Sequence, residues 1–364
     1  MRPVTRGVIA GVAVFAATTI ATIAVTTLVT GGEPADRLTP LQPGSVTDAP
    51  ASGLMDTTRS DLTFPVEGGT VNAILVEPEG GAEVGVVIVA GADASGRDDL
   101  LALAEQFAAH GIAALTYDKR ADGYTLFHRD YARLANDVLA AAEAMRATTG
   151  IDRIGAWGIS EGGWVISDAV ARPNPPLAFA VLASAPVVTP GEQSAWIVDS
   201  GLQAAPAPIR LAAATMNGQG RSLLDYFDFD TRPRLATTHI PVMAIWGAED
   251  AIVPINEAYR RLDAGLDGAL LARIFPGIGH DMSADIDAWL PAVAAWMKEP
   301  HGAGLVGVEP SSDLGVAQVP PPRWYSDPRL HLAVAILAAA VAAFTVTRRA
   351  KRKAGTNSDK EIPA

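Results

Sequence analysis

The sequence predicts an α/β domain over residues 60–300, with a mostly parallel sheet and helices on both faces. Apolar runs typical of buried strands alternate there with stretches whose apolar residues recur at helical spacing. In addition, the segment Gly158-Ile159-Ser160-Glu161-Gly162-Gly163 follows the apolar run 154–157 and precedes the apolar segment Trp164-Val165-Ile166. A strand that passes through a sharp turn into a helix is typical of such a sheet.

The predicted elements follow in a regular order. An opening hairpin comes first, with strands at 62–66 and 71–76 around Gly68-Gly69. The later strands are continuous apolar runs, which suit a sheet that is buried on both faces. These strands are predicted at 84–90, 112–117, 154–157, 177–182, 242–246 and 271–275. Helical spacing predicts helices at 100–108, 131–145 and 286–297, and a further helix begins after Ser160.

Ser160 has candidate catalytic partners downstream. A serine hydroxyl is a weak nucleophile at neutral pH, so it needs a histidine base, and the histidine needs a carboxylate. His280 ends the Gly-rich loop after the strand at 271–275 and precedes the last helix. Asp250 follows the strand at 242–246, with Glu249 as the competing acid. The order Ser160, Asp250, His280 predicts a catalytic triad.

Four blocks of sequence resemble the α/β-hydrolase superfamily, in particular its esterase and dienelactone-hydrolase-like branch, which is related to the catalytic domains of prolyl-oligopeptidase-type peptidases. The blocks are 86–97, Tyr117-Asp118-Lys119-Arg120, 158–163, and 247–254 with Gly279-His280. The resemblance implies a serine hydrolase that forms an acyl-enzyme and needs no cofactor. Members of the family often have His-Gly after the third strand, where this chain has Val89-Ala90-Gly91-Ala92-Asp93.

The oxyanion hole is expected to consist of backbone N–H groups, so the missing histidine does not remove it. We assign its donors to Glu161 and Ala92, with Asp93 as the alternative to Ala92. Because a carboxylate would disfavour a nearby oxyanion, Asp93 is expected to turn away. For the Glu161 side chain, an interaction with the helix dipole is preferred over a role in substrate binding. Asp118 and Arg120 are expected to orient loops by ion pairing.

The alternation of strands and helices stops between Pro186 and His239, where the sequence is Ala-rich and helix-prone. We interpret residues from about 187 to 239 as a helical lid inserted into the fold. Its large side chains have two open interpretations, since they could line an acyl pocket or pack the lid on the core. They are Trp196, Met216, Tyr226, Phe227 and Phe229.

Composition excludes several classes of function. The net charge of −12 argues against a nucleic-acid partner. Zero cysteines exclude disulfides and thiol chemistry. Histidines and carboxylates do not occur with zinc-ligand spacing, and the sequence has no Gly-rich phosphate loop, so neither a metal nor another cofactor is expected.

Both ends of the chain predict membrane segments. Residues 1–36 contain an uncharged run at 7–30 after Arg2 and Arg6, which favours a signal anchor, with a cleaved signal peptide as the alternative. Linkers are predicted at 37–59 and 301–328. A transmembrane helix at 329–347 follows Trp324-Tyr325 and precedes a basic tail at 348–364. Because cytoplasmic flanks are rich in Lys and Arg, both ends are expected in the cytoplasm and the catalytic domain outside it.

The sequence therefore predicts a membrane-anchored, extracytoplasmic serine hydrolase that cleaves a small-molecule or lipid-like carboxylic ester. A serine peptidase and a cell-envelope acyltransferase of the same fold stay open as alternatives, because both would use the same triad. A catalytically silent binding module is a further alternative. The sequence leaves the oligomeric state undetermined.

Overall fold

The apolar runs form an eight-stranded sheet. The computed structural model describes residues 53–202, 205–266, 270–282 and 285–298. The strands are β1 (Thr57–Val66), β2 (Gly69–Pro78), β3 (Val84–Val89), β4 (Ala113–Tyr117), β5 (Arg153–Ile159), β6 (Ala180–Ala183), β7 (Val242–Gly247) and β8 (Leu270–Phe275). Their order in the sheet is β1-β2-β4-β3-β5-β6-β7-β8. In the described sheet, β2 pairs antiparallel with β1 and with β4, and the other five pairs are parallel, so the predicted mostly parallel sheet is confirmed.

Two strands begin three or more residues away from the predicted positions. β1 begins at Thr57, before the predicted domain start at residue 60, because its polar and mostly exposed first residues are held by backbone pairing with the end of β2. β6 begins at Ala180 rather than at residue 177. Ahead of it, Ala178 makes a single backbone hydrogen bond of 2.7 Å to Ile154 O.

Helices cover the sheet on both faces, as predicted. The helices of the described residues are α1 (Leu101–Ala109), α2 (Tyr131–Thr149), α3 (Glu161–Val170), α4 (Pro190–Gly201), α5 (Ala207–Leu223), α6 (Arg232–Leu235), α7 (Ile255–Gly265) and α8 (Ile286–Lys298). The buried side chains form two clusters, and the side chains of β3 alternate between them. Val86 and Ile88 pack in the cluster with α1 and α8, whereas Val87 and Val89 pack in the cluster with α2, α3 and α7. This division follows from the alternation of side chains along a strand.

The insertion between β6 and β7 is helical and contains α4, α5 and α6. Among the described residues, 53–197 and 224–298 form one compact unit with the whole sheet, and 198–223 belong to a second unit. Met216 of the predicted lid lies on α5 in that second unit. A lid function for this insertion stays a prediction.

The predicted membrane segments lie outside the described residues, as do the predicted linker at 301–328 and the basic tail. Within the part of the chain that is described, none of the helices is both long and apolar enough to cross a membrane.

Candidate active site

Ser160 lies in a strained turn between β5 and α3. Its backbone has φ 54° and ψ −115°, a conformation that costs a non-glycine residue on the order of 1–3 kcal/mol. Close packing around the turn requires glycine on both sides. A Cβ on Gly162 would lie 2.6 Å from Val89 O, and one on Gly158 would lie 2.9 Å from the backbone of Gly162. The turn therefore brings the start of α3 against the end of β3 and places Ser160 at the carboxyl edge of the sheet.

His280 and Asp250 form a hydrogen-bonded pair. His280 Nδ1 lies 2.8 Å from Asp250 Oδ2. The other carboxylate oxygen, Oδ1, accepts the backbone N–H groups of Ile252 at 2.8 Å and of Val253 at 3.0 Å. The Asp250 side chain is fully buried, whereas that of His280 is 21% exposed. The carboxylate is therefore fixed by its own loop, and it fixes the imidazole ring in turn.

The loops that carry this pair are joined by backbone contacts. Glu249 N donates to Ile278 O at 3.0 Å, which ties the loop after β7 to the loop after β8. A Cβ on Gly247 would lie 2.1 Å from Ile278 O, so the approach of the two loops depends on a glycine there. Glu249, the competing acid in the sequence, is exposed, and it is Asp250 that contacts His280.

The segment Gly91-Ala92-Asp93 lies beside Ser160. A Cβ placed on Gly91 would be 3.7 Å from Ser160 Cβ and 3.5 Å from Ile159 O. The strand order reverses between β3 and β5, since β3 leads to β4 on one side and β5 leads to β6 on the other. Open α/β sheets bind their ligands at such a switch point. Ala92 and Asp93 are both exposed there.

The second expected donor, Glu161, is the first residue of α3. Backbone N–H groups in the first turn of a helix have no acceptor within the helix, so they are available to an anion. The Glu161 side chain, in contrast, is only 1% exposed. It is therefore enclosed in the protein, which does not fit the alternative role in substrate binding.

A buried network of charged and hydroxyl groups surrounds the Glu161 carboxylate. Oε1 lies 2.6 Å from Lys119 Nζ and 2.7 Å from the Tyr124 hydroxyl. Oε2 forms an ion pair with Arg129 and lies 3.3 Å from the Tyr131 hydroxyl. The sequence favoured the helix dipole as the partner of the Glu161 carboxylate. The structure adds two cations and two hydroxyl groups as further partners of that carboxylate. The sequence contained one signal for this network, the lysine in Tyr117-Asp118-Lys119-Arg120.

Burial shifts the pKa values within this network. Burial lowers the pKa of Lys119, and the charge of Glu161 opposes that shift. Burial and the Glu161 charge raise the pKa of Tyr124, and they do the same for Tyr131. Both tyrosine hydroxyls therefore keep their protons at neutral pH and can donate hydrogen bonds.

Arg120 connects loops by ion pairing, as predicted, whereas the described contacts of Asp118 are hydrogen bonds. Asp118 Oδ1 accepts the backbone N–H of Arg97 at 2.9 Å. Arg120 donates two hydrogen bonds to the Asp137 carboxylate, at 2.7 and 2.5 Å, and one to Glu67 O at 2.7 Å. These contacts connect the loop after β4 to the loop after β3, to the turn between β1 and β2, and to α2. None of the contacts described for Asp118 or Arg120 involves Ser160.

Several aromatic residues of the insertion pack on the sheet domain. The ring of Tyr131 on α2 lies 5.9 Å from that of Tyr226 and 4.6 Å from that of Phe229, measured between centroids. Phe227 packs so closely on α4 that a Cβ on Gly191 would lie 2.2 Å from its ring. For Tyr226 and Phe229, packing on the core is the better supported of the two interpretations, whereas the described contact of Phe227 is within the insertion. Trp196 is also buried.

Comparison with known proteins agrees with this architecture. Residues 128–303, which include Ser160, Asp250 and His280, match the profile of the prolyl oligopeptidase family. The solved structure of DcsB in a complex with its substrate analogue has 15% sequence identity, with 66% of this chain and 99% of that chain covered at a TM-score of 0.50. This chain has the α/β-hydrolase fold. The family match supports a serine hydrolase.

Two further α/β-hydrolase structures are similar at low identity. The proline iminopeptidase of Mycobacterium smegmatis is 16% identical, with 66% of this chain and 98% of that chain covered at a TM-score of 0.49. The dienelactone hydrolase of Anabaena variabilis is 18% identical, with 67% and 96% covered at a TM-score of 0.47. A search of curated protein sequences found no match. In the described residues, histidine, aspartate and glutamate side chains form no group that could hold a metal ion.

Proposed function

We propose that this α/β-hydrolase cleaves carboxylic esters with Ser160 as nucleophile, His280 as base and Asp250 as the acid that orients His280. The observation that carries the proposal is the 2.8 Å contact between His280 Nδ1 and Asp250 Oδ2, at the sheet edge where Ser160 lies. Because a carboxylate only accepts hydrogen bonds, Nδ1 carries the ring proton in this pair. His280 Nε2 is then the atom left to accept the serine proton.

In the proposed reaction, Ser160 Oγ attacks the ester carbonyl carbon while His280 Nε2 takes the hydroxyl proton. The carbonyl oxygen becomes an oxyanion, which the N–H groups of Glu161 and Ala92 stabilise. As the tetrahedral intermediate collapses, the carbon–oxygen bond to the alcohol breaks, and His280 returns the proton to that alcohol. Water then attacks the acyl-enzyme by the same steps in reverse order, which releases the carboxylic acid and restores Ser160.

Amide hydrolysis is the second candidate, and the match to the prolyl oligopeptidase family is the observation that favours it. The triad chemistry would be the same, with an amine instead of an alcohol as the leaving group. A direct comparison separates the candidates. We expect p-nitrophenyl esters from acetate to palmitate to be cleaved with kcat/KM far above that of aminoacyl p-nitroanilides.

A fluorophosphonate probe tests the nucleophile in the same preparation. We expect the wild-type protein to be labelled and the Ser160→Ala variant to be neither labelled nor active. Retained ester hydrolysis by purified Ser160→Ala would refute the assignment. Preferential cleavage of the amides, with labelling still lost in Ser160→Ala, would keep the nucleophile and replace the esterase by a peptidase.

We further propose that the catalytic domain is tethered to the membrane and lies outside the cytoplasm. The support is in the sequence alone, since Arg2 and Arg6 precede the first apolar run and a basic cluster at 348–353 follows the second. A reporter inserted at Ser311 should then be active only as an extracytoplasmic enzyme, and one fused after Ala364 only as a cytoplasmic enzyme. Cytoplasmic activity of the Ser311 fusion would refute the topology.

A further inference from the structure

Two side chains hold the peptides after β3 by their carbonyl oxygens. Lys119 Nζ donates to Gly91 O at 2.6 Å. The Tyr124 hydroxyl lies 2.6 Å from Ala92 O. Gly91 O belongs to the same peptide unit as the N–H of Ala92, and Ala92 O to the same unit as the N–H of Asp93. In a planar trans peptide the C=O and N–H bonds point in opposite directions, so fixing the oxygen also fixes the direction of the N–H.

The same two side chains also bind the residue that carries the other expected oxyanion donor. Lys119 Nζ lies 2.6 Å from Glu161 Oε1, and the Tyr124 hydroxyl lies 2.7 Å from that oxygen. Tyr124 has one proton for two acceptors, Ala92 O and Glu161 Oε1, so it donates to one of them at a time or shares the proton between them. The Glu161 carboxylate is held from its other side by Arg129 and Tyr131. The network therefore connects the loop after β3 to the first residue of α3.

The stability of the fold alone does not explain why a charged residue, Lys119, is buried beside Glu161. The side chains of Lys119 and Glu161 are 6% and 1% exposed, so both charges are removed from water. Desolvation of such a pair offsets most of its Coulombic attraction, and apolar side chains of similar volume are often at least as stabilising. Apolar side chains, however, would leave the carbonyl groups of Gly91 and Ala92 without these hydrogen bonds.

We propose that Lys119 and Tyr124 are positioning residues. Lys119 sets the direction of the Ala92 N–H through Gly91 O. Tyr124 fixes the next peptide, which carries the alternative donor Asp93 N–H, through Ala92 O, and both side chains connect this loop to α3 through the Glu161 carboxylate. The proposal rests on the proposed ester hydrolysis at Ser160. Neither residue needs to touch the substrate. Their effect is on the transition state, because an oxyanion donor acts only once the negative charge has developed.

Two substitutions test this positioning role. Tyr124→Phe removes one oxygen, and Lys119→Met removes the donor while keeping the alkyl stem. The measurements are kcat and KM for p-nitrophenyl acetate, and the inhibition constant of an alkyl trifluoromethyl ketone, whose adduct with serine carries an oxyanion. Because one oxyanion donor contributes about 10²–10³ in kcat, we expect kcat to fall about 10-fold in Tyr124→Phe and about 100-fold in Lys119→Met. KM should change by less than about threefold, and the inhibition constant should rise in parallel with the loss of kcat.

Arg120→Met is the matched control. Arg120 is the neighbour of Lys119 and forms its own buried ion pair, with Asp137, whose side chain is 1% exposed. Its loss should lower the melting temperature without changing kcat or the affinity for the ketone. If Lys119→Met does not fold, Tyr124→Phe decides the question, since it removes a single atom.

The kinetic results can contradict either the positioning role or the proposed function, and the two cases are distinguishable. If folded Tyr124→Phe and Lys119→Met keep kcat and ketone affinity within about twofold of wild type, or lose them only as Arg120→Met does, the positioning role is wrong although ester hydrolysis stands. If wild type shows no ester hydrolysis, or Ser160→Ala retains it, the proposed function itself has failed.

Discussion

Asp250→Asn tests the tautomer that the proposed mechanism needs in His280. Asparagine has one oxygen and one NH2 group where aspartate has two oxygens. At the Oδ1 position, two backbone N–H groups, those of Ile252 and Val253, need an acceptor at 2.8 and 3.0 Å. With its oxygen there, the Asn side chain turns its NH2 group toward His280 Nδ1. Nδ1 must then accept, so that the ring proton moves to Nε2, which can no longer take a proton from Ser160.

The alternative side-chain rotamer in Asp250→Asn has a higher free energy. It would face Nδ1 with oxygen and keep the active tautomer, but it would turn NH2 toward the two loop N–H groups. Each unsatisfied buried group costs about 1–3 kcal/mol, so this rotamer lies about 2–6 kcal/mol higher. At 1.36 kcal/mol per factor of ten, the active form is populated at about one part in 30 to one part in 10⁴. We therefore expect kcat to fall by between about 30-fold and about 10⁴-fold, and the upper end of this range is the loss known for this change in serine protease triads.

The assay compares kcat for p-nitrophenyl acetate in Asp250→Asn and in Glu249→Gln, with thermal unfolding of both proteins as the control for folding. Glu249 is exposed, so its change should leave kcat within about twofold of wild type. Asp250→Asn should remain folded, since the loop keeps its acceptor. The reasoning is refuted if Asp250→Asn retains more than about a tenth of the wild-type kcat, or if Glu249→Gln is the more damaging change.

Three further predictions concern the same edge of the sheet. Ser160→Ala should abolish turnover by about 10⁴-fold or more, measured with p-nitrophenyl acetate, while circular dichroism stays unchanged. Gly247→Ala should lower both kcat and the melting temperature, because its Cβ would lie 2.1 Å from Ile278 O, whereas Gly265→Ala, with nothing within 4 Å of its Cβ, should change neither. Burial lowers the pKa of Lys119, so kcat should decline as pH rises through that pKa, below the usual lysine value of about 10.4, and Lys119→Met should lack this decline.

The sequence predicted those parts of the fold that depend on local apolar pattern. β3, β4 and β7 are buried strands, and their bounds agree with the apolar runs to within one residue. The first residues of β1 have no such pattern, since they are polar and exposed, and pairing with β2 alone makes them a strand. Helix α7 was not predicted individually, although Ile255, Ala258 and Leu262 occur at helical spacing and are buried.

The site could be predicted where one residue follows one strand, as Asp250 follows β7 and Ser160 follows β5. The sequence already favoured Asp250 over Glu249, and Asp250 is the carboxylate that contacts His280 in the structure. The network around Glu161 could not be predicted, because its partners come from distant segments. Lys119 follows β4 and Arg129 precedes α2, and only the tertiary fold brings both to one carboxylate.

Backbone strain in this protein is concentrated in loops at the carboxyl edge of the sheet. Five described residues other than glycine have positive φ. Ser160, Ser184, Val187 and Met282 have φ between 46° and 59° in loops that follow β5, β6 and β8, and the fifth, Asn174, follows α3. Such conformations persist only where neighbouring structure enforces them. Ser160 N donates to Ala183 O at 2.9 Å, and Ser184 N donates to Ile245 O at 2.8 Å.

The loop after β8 is held in the same way, from the core below it. Trp289 Nε1 on α8 donates to Met282 O at 2.8 Å, and both residues are 1% exposed. The strands and helices under the site therefore supply the free energy that holds these loops in strained conformations. Because the loops are fixed before any substrate binds, the proposed nucleophile, base and acid need little reorganisation during the reaction, which is the condition under which electrostatic stabilisation of a transition state is largest.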